Sequence, residues 1–250
     1  MELCDLGGAE GRDQLIRQLR DNGLSRFEGV ADRAALVEAA GWLMDIYPHR
    51  DSGPDGVTVI AGEGDSALPG RAGFTSAELR PHTDRSSVPE PPVLLMMMCA
   101  TDADHGGESF AVDGRLLHDV LAAEDTAALQ ALSRPRSALF GGAGGYLGSV
   151  FETTADGRVK VRLRLDELAR YSPDVERVLP RLAALAAGNL VSFPLRAGQG
   201  YVLNNSCWLH GRTRFTGPRV MLRLLGDPLA HLGIRPGFTP RHAPEGTPQP

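Results

Sequence analysis

Apolar positions recur at helical spacing over residues 9–20 (Leu15, Ile16, Leu19) and 31–46 (Leu36, Val37, Ala40, Trp42, Leu43). This spacing predicts two amphipathic helices, the second opening after Asp32. Val57 to Ile60 is a short β-branched strand, and Gly62 to Gly73 is Gly-rich loop. Pro91-Pro92 then introduces Val93 to Cys99, an unbroken apolar run suited to a strand covered on both faces. Glu108 to Val112 follows the turn Gly106-Gly107 as another strand. Residues 113–132 read as helix, with Leu116, Leu117, Val120 and Leu121 on one face, and Gly141 to Gly148, with five glycines in eight positions, as a flexible connection beside a pocket. Val159 to Leu165 alternates apolar residues with Lys160, Arg162 and Arg164, the period of a half-exposed strand. Pro173 to Ala187 is a helix with Pro in its first turn and Gly188 beyond its end. Strand signals return at Leu190–Phe193, Gly200–Leu203 and Val220–Leu225, and the Pro-, Gly- and His-containing tail beyond Pro228 reads as poorly ordered.

Strands that follow one another without intervening helices in the last third argue against a βαβ parallel sheet. They favour a mainly β chain, a jelly-roll or barrel core with helical flanks. No internal repeat or linker interrupts it, so a single domain is expected over residues 1–250: a helical flank over 1–56, a core over 57–228 with a helical insert at about 113–187, and a flexible tail over 229–250.

Composition narrows the chemistry. With 42% hydrophobic and 23% charged residues in 250, the chain can bury a core without disulfides. Its net charge is −5 and Lys160 is its only lysine, so an extended basic face for nucleic acid is disfavoured. A Walker A loop is excluded, because Val161 follows that lysine. Schiff-base chemistry would have to use Lys160. Cys4, Cys99 and Cys207 lack any CxxC spacing, which argues against a disulfide framework or zinc knuckle and fits a reducing cytoplasm. Glu2 and Asp5 at the start give no signal-peptide pattern, and the longest apolar run, eight residues from Val93 to Ala100, is too short to cross a bilayer.

Seven histidines remain as carriers of chemistry. His82-Thr83-Asp84 sets an imidazole and a carboxylate two apart, on one face if the segment is extended. His210 follows in Trp208-Leu209-His210-Gly211-Arg212. Two histidines and one carboxylate on one side of a metal leave open positions opposite, the arrangement of non-haem Fe(II) oxygenases. Arg219 and Arg223 lie in the next strand, where a guanidinium offers a planar fork for a carboxylate.

In three stretches, Arg80 to Ser86, Gly106 to Ser109 and Asn205 to Arg223, the sequence resembles the Fe(II)/2-oxoglutarate-dependent dioxygenases of the taurine dioxygenase and clavaminate synthase type. The resemblance runs from about residue 80 to 228. It implies a double-stranded β-helix fold, with His82, Asp84 and His210 as iron ligands. It also implies Ser109 and Arg219 on the distal carboxylate of 2-oxoglutarate, and Arg223 as a second arginine for cosubstrate or substrate. The implied reaction couples oxidative decarboxylation of 2-oxoglutarate by O2 to oxidation of an unactivated C–H bond. Asp84 stands where halogenating relatives carry a small residue, so hydroxylation is expected over chlorination.

The expected substrate is a small polar metabolite, an amino acid or derivative of a secondary pathway, with no nucleic-acid or membrane partner. Desaturation or cyclisation is the alternative outcome. A zinc-dependent hydrolase or isomerase on the same scaffold is the competing class, although it would need no carboxylate clamp at Ser109 and Arg219. A non-catalytic binding protein is the third.

Other residues read structurally. Met96 to Met98 is core filling, and His105 beside Asp102 and Asp104 is a solvated turn. Cys207 is a buried neutral thiol. Trp208 shares the parity of His210 and should wall the pocket. Arg162, Arg164 and Asp166 read as a solvated strand face, with substrate recognition as the alternative. His49, His118, His231 and His242 show no partner in the sequence.

Overall fold

The computed structural model describes residues 2–62 and 70–241. Two antiparallel sheets face one another. The larger is built from β1 (Leu3–Asp5), β2 (Leu24–Glu28), β3 (Met44–Ile46), β4 (Thr58–Ala61) and three long central strands. The smaller begins with β5 (Leu79–His82). Counting on in chain order, the large sheet adds β6 (Leu94–Thr101), the small one β7 (Ser109–Asp113) and β8 (Val191–Phe193), the large one β9 (Gly200–Asn204), the small one β10 (Trp208–Arg212) and the large one β11 (Val220–Pro228). The large sheet runs β1-β2-β9-β6-β11-β3, with β4 also on β11, and the small sheet runs β8-β7-β10-β5. Only the β1–β2 pair at the edge of the large sheet is parallel. This is the expected jelly roll.

The apolar run of β6 is divided between two cores by the period-two alternation of a strand. Leu95, Met97 and Cys99 face inward, packing with Ala111, Tyr201 and Met221 between the sheets. Leu94, Met96 and Met98 face the other way, onto Leu15, Leu19 and Leu36 of the N-terminal helices α1 (Ala9–Asn22) and α2 (Arg33–Gly41). A side chain buried this completely contributes roughly 1.5–3 kcal/mol, so both faces of the strand hold the fold. Helices α3 (Gly114–Glu124), α4 (Thr126–Ser133) and α5 (Pro173–Gly188) extend the inter-sheet core through Leu117, Leu132 and Leu182.

Several sequence expectations are corrected. The helix expected over 31–46 is capped by Asp32, whose carboxylate accepts from the Ala35 amide, but it ends at Gly41, and Met44–Ile46 instead pairs with the end of β11. The first 56 residues therefore supply three strands of the large sheet as well as two helices. The helix expected over 113–132 is two, because the Asp125 side chain caps the Ala128 amide and starts a new one. Part of the glycine stretch is regular, with Tyr146–Gly148 paired to Ala138–Phe140. The strand expected over 159–165 stops at Val161. Beyond Pro228 the chain stays ordered as far as residue 241, and Phe238, buried, pairs with Val159. Residues 63–69 of the loop expected over 62–73 and residues 242–250 of the tail lie outside the described residues.

Candidate metal centre and its cavity

β5 and β10 bring the two halves of the site together, with His210 directly opposite His82. The register slips by one residue between that pair and Arg212 opposite Leu79. Pro81 lies within the slip, and a proline has no N–H for the ladder, so the bulge falls where pairing is already interrupted. The two imidazoles stand 4.3 Å apart between ring centroids. His82, Asp84 and His210 are all buried, and one ligand atom from each lies within 4.8 Å of the others.

Each of the three is oriented by the protein. The Nδ1 of His82 is 2.9 Å from the Arg80 carbonyl, which can only accept, so Nδ1 carries the proton and Nε2 keeps a free lone pair. That Nε2 lies 3.5 Å from Asp84 Oδ1. The other carboxylate oxygen, Oδ2, accepts from Arg223 at 2.8 Å. The backbone of Asp84 is held by Asn205, whose Oδ1 accepts from the Asp84 amide at 2.8 Å and whose Nδ2 donates to the Asp84 carbonyl at 2.9 Å. Thr83 points away and pairs with Leu163, as alternation requires.

Burial alone would raise the Asp84 pKa, but Arg223, His82 and His210 outweigh it and hold the carboxylate well below its ordinary range. Burial and the neighbouring His82 push His210 down to about 3, leaving a neutral ring. His210 Nδ1 is buried with no hydrogen-bond partner among the described residues. A fixed lone pair, a neutral second imidazole with unused capacity and an ionised carboxylate are the donor set a divalent transition metal requires, so these residues fit an iron ion.

The cluster opens into a cavity of about 290 Å³, at the small end of ligand sites. Ser109, Arg219 and Arg223 all line it. Arg219 and Arg223 are four apart on an extended segment and so share a face. Arg219 is only 6% exposed and stands over the Phe215 ring at 5.5 Å. No carboxylate pairs with it among the described residues. Burial pushes its pKa down. Gly107 lies beneath it at φ 73°, and a Cβ there would stand 2.8 Å from Arg219 Cδ. The Gly106-Gly107 turn thus makes room for the guanidinium. Ser109, 2% exposed, begins β7 immediately beyond that turn.

The sequence reading missed other cavity residues. His49, Arg50 and Asp51 reach it from the segment after β3. His49 Nδ1 accepts from the Asp51 amide at 3.2 Å, and burial and Arg223 lower its pKa. Tyr201 and Arg212 also line the cavity. Arg212 is a strut, donating to the carbonyls of Ala72, Thr75 and Ala77 and so fixing one wall. Alternating charge had marked Arg162 as solvated, yet it is 5% exposed and donates to the carbonyls of Ser86, Val88 and Pro89 at 2.5, 2.6 and 2.8 Å. It secures the loop after Asp84. Arg164 lines the cavity, paired with Asp166. Trp208 walls no part of this cavity: its Nε1 donates to the Asn22 carbonyl at the end of α1. Cys207 is buried, its thiol pushed up to about 12 by desolvation, and His105 is exposed, both as expected.

Facing sheets with a buried His-Asp-His cluster at the mouth of the roll define an oxygenase of the non-haem iron class. The chain belongs to the taurine catabolism dioxygenase TauD, TfdA family, whose model matches residues 2–225. It is therefore a 2-oxoglutarate-dependent non-haem iron dioxygenase. Among solved structures it resembles an asparagine oxygenase in complex with Fe(II), 2S,3S-3-hydroxyasparagine and succinate, at 17% identity and TM-score 0.70, over 88% of this chain and 80% of that one. It also resembles the non-heme iron oxygenase OrfP in complex with Fe, succinate and (3S)-hydroxy-L-Arg, at 14% identity and TM-score 0.69, over 88% and 81%. A third is the PvcB protein of Pseudomonas aeruginosa, at 17% identity and TM-score 0.63, over 86% and 79%. No curated protein matches the sequence. Among the described residues no helix is long and apolar enough to cross a membrane.

Proposed function

We propose that His82, Asp84 and His210 hold Fe(II), that Ser109 and Arg219 seat the distal carboxylate of 2-oxoglutarate, and that the enzyme hydroxylates an amino acid or a close derivative. The observation that carries this reading is Arg219, a buried guanidinium with no anionic partner among the described residues, facing the same small cavity as the His-Asp-His cluster. A hydrolase on this scaffold would have no use for it.

Iron with 2-oxoglutarate and O2 supplies the oxidising power for an unactivated C–H bond, and the chain supplies binding and orientation. His82 is fixed in one tautomer by the Arg80 carbonyl, and Asn205 holds the Asp84 backbone, so neither ligand must reorganise to bind. Arg223 occupies Asp84 Oδ2 and leaves Oδ1, on the His82 side, as the donor atom. The role of Arg223 is thus to set the carboxylate's orientation, in addition to presenting its remaining N–H groups to the cavity. The Phe215 ring shields one side of Arg219 from water, which strengthens a carboxylate pair there. The substrate assignment rests on the cavity's size and on the hydroxylated amino acids bound in the similar oxygenases.

Anaerobic addition of Fe(II) and 2-oxoglutarate to the purified protein tests this. A weak visible charge-transfer band is expected, lost in Asp84→Ala. Folded protein that gives no band refutes the assignment. Product mass from a panel of free amino acids and small carboxylates, read with succinate formation, then identifies the reaction: a gain of one oxygen is hydroxylation.

A further inference from the structure

Six arginines line the cavity: Arg50, Arg85, Arg164, Arg212, Arg219 and Arg223. Four have acceptors within the protein. Arg50 pairs with Asp51 at 3.3 Å, Arg164 with Asp166 at 2.9 Å and Arg223 with Asp84 at 2.8 Å, while Arg212 is satisfied by backbone carbonyls. Arg219 and Arg85 make no ion pair or side-chain hydrogen bond with any described residue. The acidic side is closed as well. Asp51 is shared by Arg50 and Arg71, and Asp84 by Arg223 and the proposed metal. Among the described residues the cavity therefore offers unmatched positive charge and no unmatched carboxylate.

Arg219 is accounted for by the distal carboxylate of the cosubstrate in the function proposed above. Arg85 is not. It is half-buried, follows Asp84 directly, and holds φ at 55°, one of two non-glycine residues with positive φ among those described. The left-handed region costs an L residue about 1–2 kcal/mol, and such strain persists where surrounding structure imposes it. Here Arg162 imposes it, by gripping the carbonyls of residues 86, 88 and 89.

We infer that Arg85 is the substrate-recognising cation of this enzyme, and that the substrate is a small carboxylate of net negative charge whose carboxylate seats on it. This rests on the function proposed above and adds a charge class to the substrate. A cationic side chain, such as that of the (3S)-hydroxy-L-Arg bound by OrfP, would meet no free carboxylate among the described residues of this cavity.

The test is anaerobic calorimetry of the Fe(II)- and 2-oxoglutarate-loaded enzyme with L-glutamate, L-glutamine and L-arginine, which differ chiefly in the charge of the side-chain end. Glutamate is expected to bind at least about tenfold more tightly than glutamine, with arginine weakest, as a charge-assisted guanidinium pair would give. In Arg85→Gln that preference should vanish, and Arg85→Lys should keep part of it. Both variants should still titrate with 2-oxoglutarate as the parent does, showing an intact site. Failure to bind glutamate, equal or tighter binding of glutamine or arginine, or a preference that survives in Arg85→Gln overturns the inference. Loss of the 2-oxoglutarate band in the parent strikes the proposed function instead.

Discussion

Replacing Arg219 with methionine should move ligand affinity and fold stability in opposite senses. The guanidinium is 6% exposed, has no anionic partner among the described residues and stands over the Phe215 ring at 5.5 Å. Truncating one member of a buried, hydrogen-bonded charge pair costs about 2–5 kcal/mol of binding. At about 1.4 kcal/mol per decade, the dissociation constant for 2-oxoglutarate should rise by roughly 30-fold to a few thousandfold. Without ligand the same side chain is desolvated and unpaired, a condition that lowers its pKa. Methionine removes that cost and forfeits a cation–π contact worth about 1 kcal/mol. The ligand-free variant should therefore melt no lower than the parent. The assay pairs titration of the visible band with thermal denaturation at several 2-oxoglutarate concentrations. The parent's Tm should climb with cosubstrate while the variant's stays flat. A variant that binds 2-oxoglutarate within about threefold of the parent refutes the reasoning.

Gly107→Ala should reproduce part of this defect without replacing a ligand-binding residue, because its Cβ would meet Arg219 Cδ at 2.8 Å from a backbone at φ 73°. Expected are about 1–2 kcal/mol of lost stability in urea and about tenfold weaker 2-oxoglutarate binding; unchanged binding would mean that the guanidinium is not where it acts. The metal-free protein should become less stable on acidification. Burial lowers the His210 pKa from 6.5 to about 3, so between those values the unfolded chain takes a proton that the folded one refuses. Stability then rises with pH through that window, by up to about 1.4 kcal/mol per unit from this group, and levels off above it. Asp84, also depressed, keeps its contribution above the ordinary carboxylate range and loses it only as pH falls through its low folded value. Urea midpoints with chelator at about pH 5 and about pH 7 should differ less in His210→Gln than in the parent, and equal differences would argue against a neutral buried ring.

The metal cluster was legible because ligand chemistry restricts residue type and a strand restricts spacing: His82 and Asp84 could serve one ion only at period two. Arg219 was legible for a related reason, since an arginine near such a set has few other uses. Arg162 was misread because alternation identifies an extended segment but not what covers its charged face. Three backbone carbonyls do so here. Trp208 shares the parity of His210, but two residues carry it about 7 Å along the strand, past the cavity and onto α1. His49, Asp51 and Arg85 gave no pattern at all. Their roles arise from where the segment after β3 and the turn after Asp84 meet in space, and local spacing holds no record of that.

The pairing of His210 with His82 has a kinetic meaning. Asn205 clasps the backbone of Asp84 from 121 residues away in the chain, and the strands beside them meet across the same gap. Contacts so distant must await closure of the long loop between them, so the ligand set comes into being only when the small sheet is finished. A metal ion arriving earlier finds one histidine and one carboxylate, too few to hold it. Iron therefore cannot seed the folding of this chain. It can only lock a roll that has already closed, and the rate at which metal affinity appears during refolding times that closure.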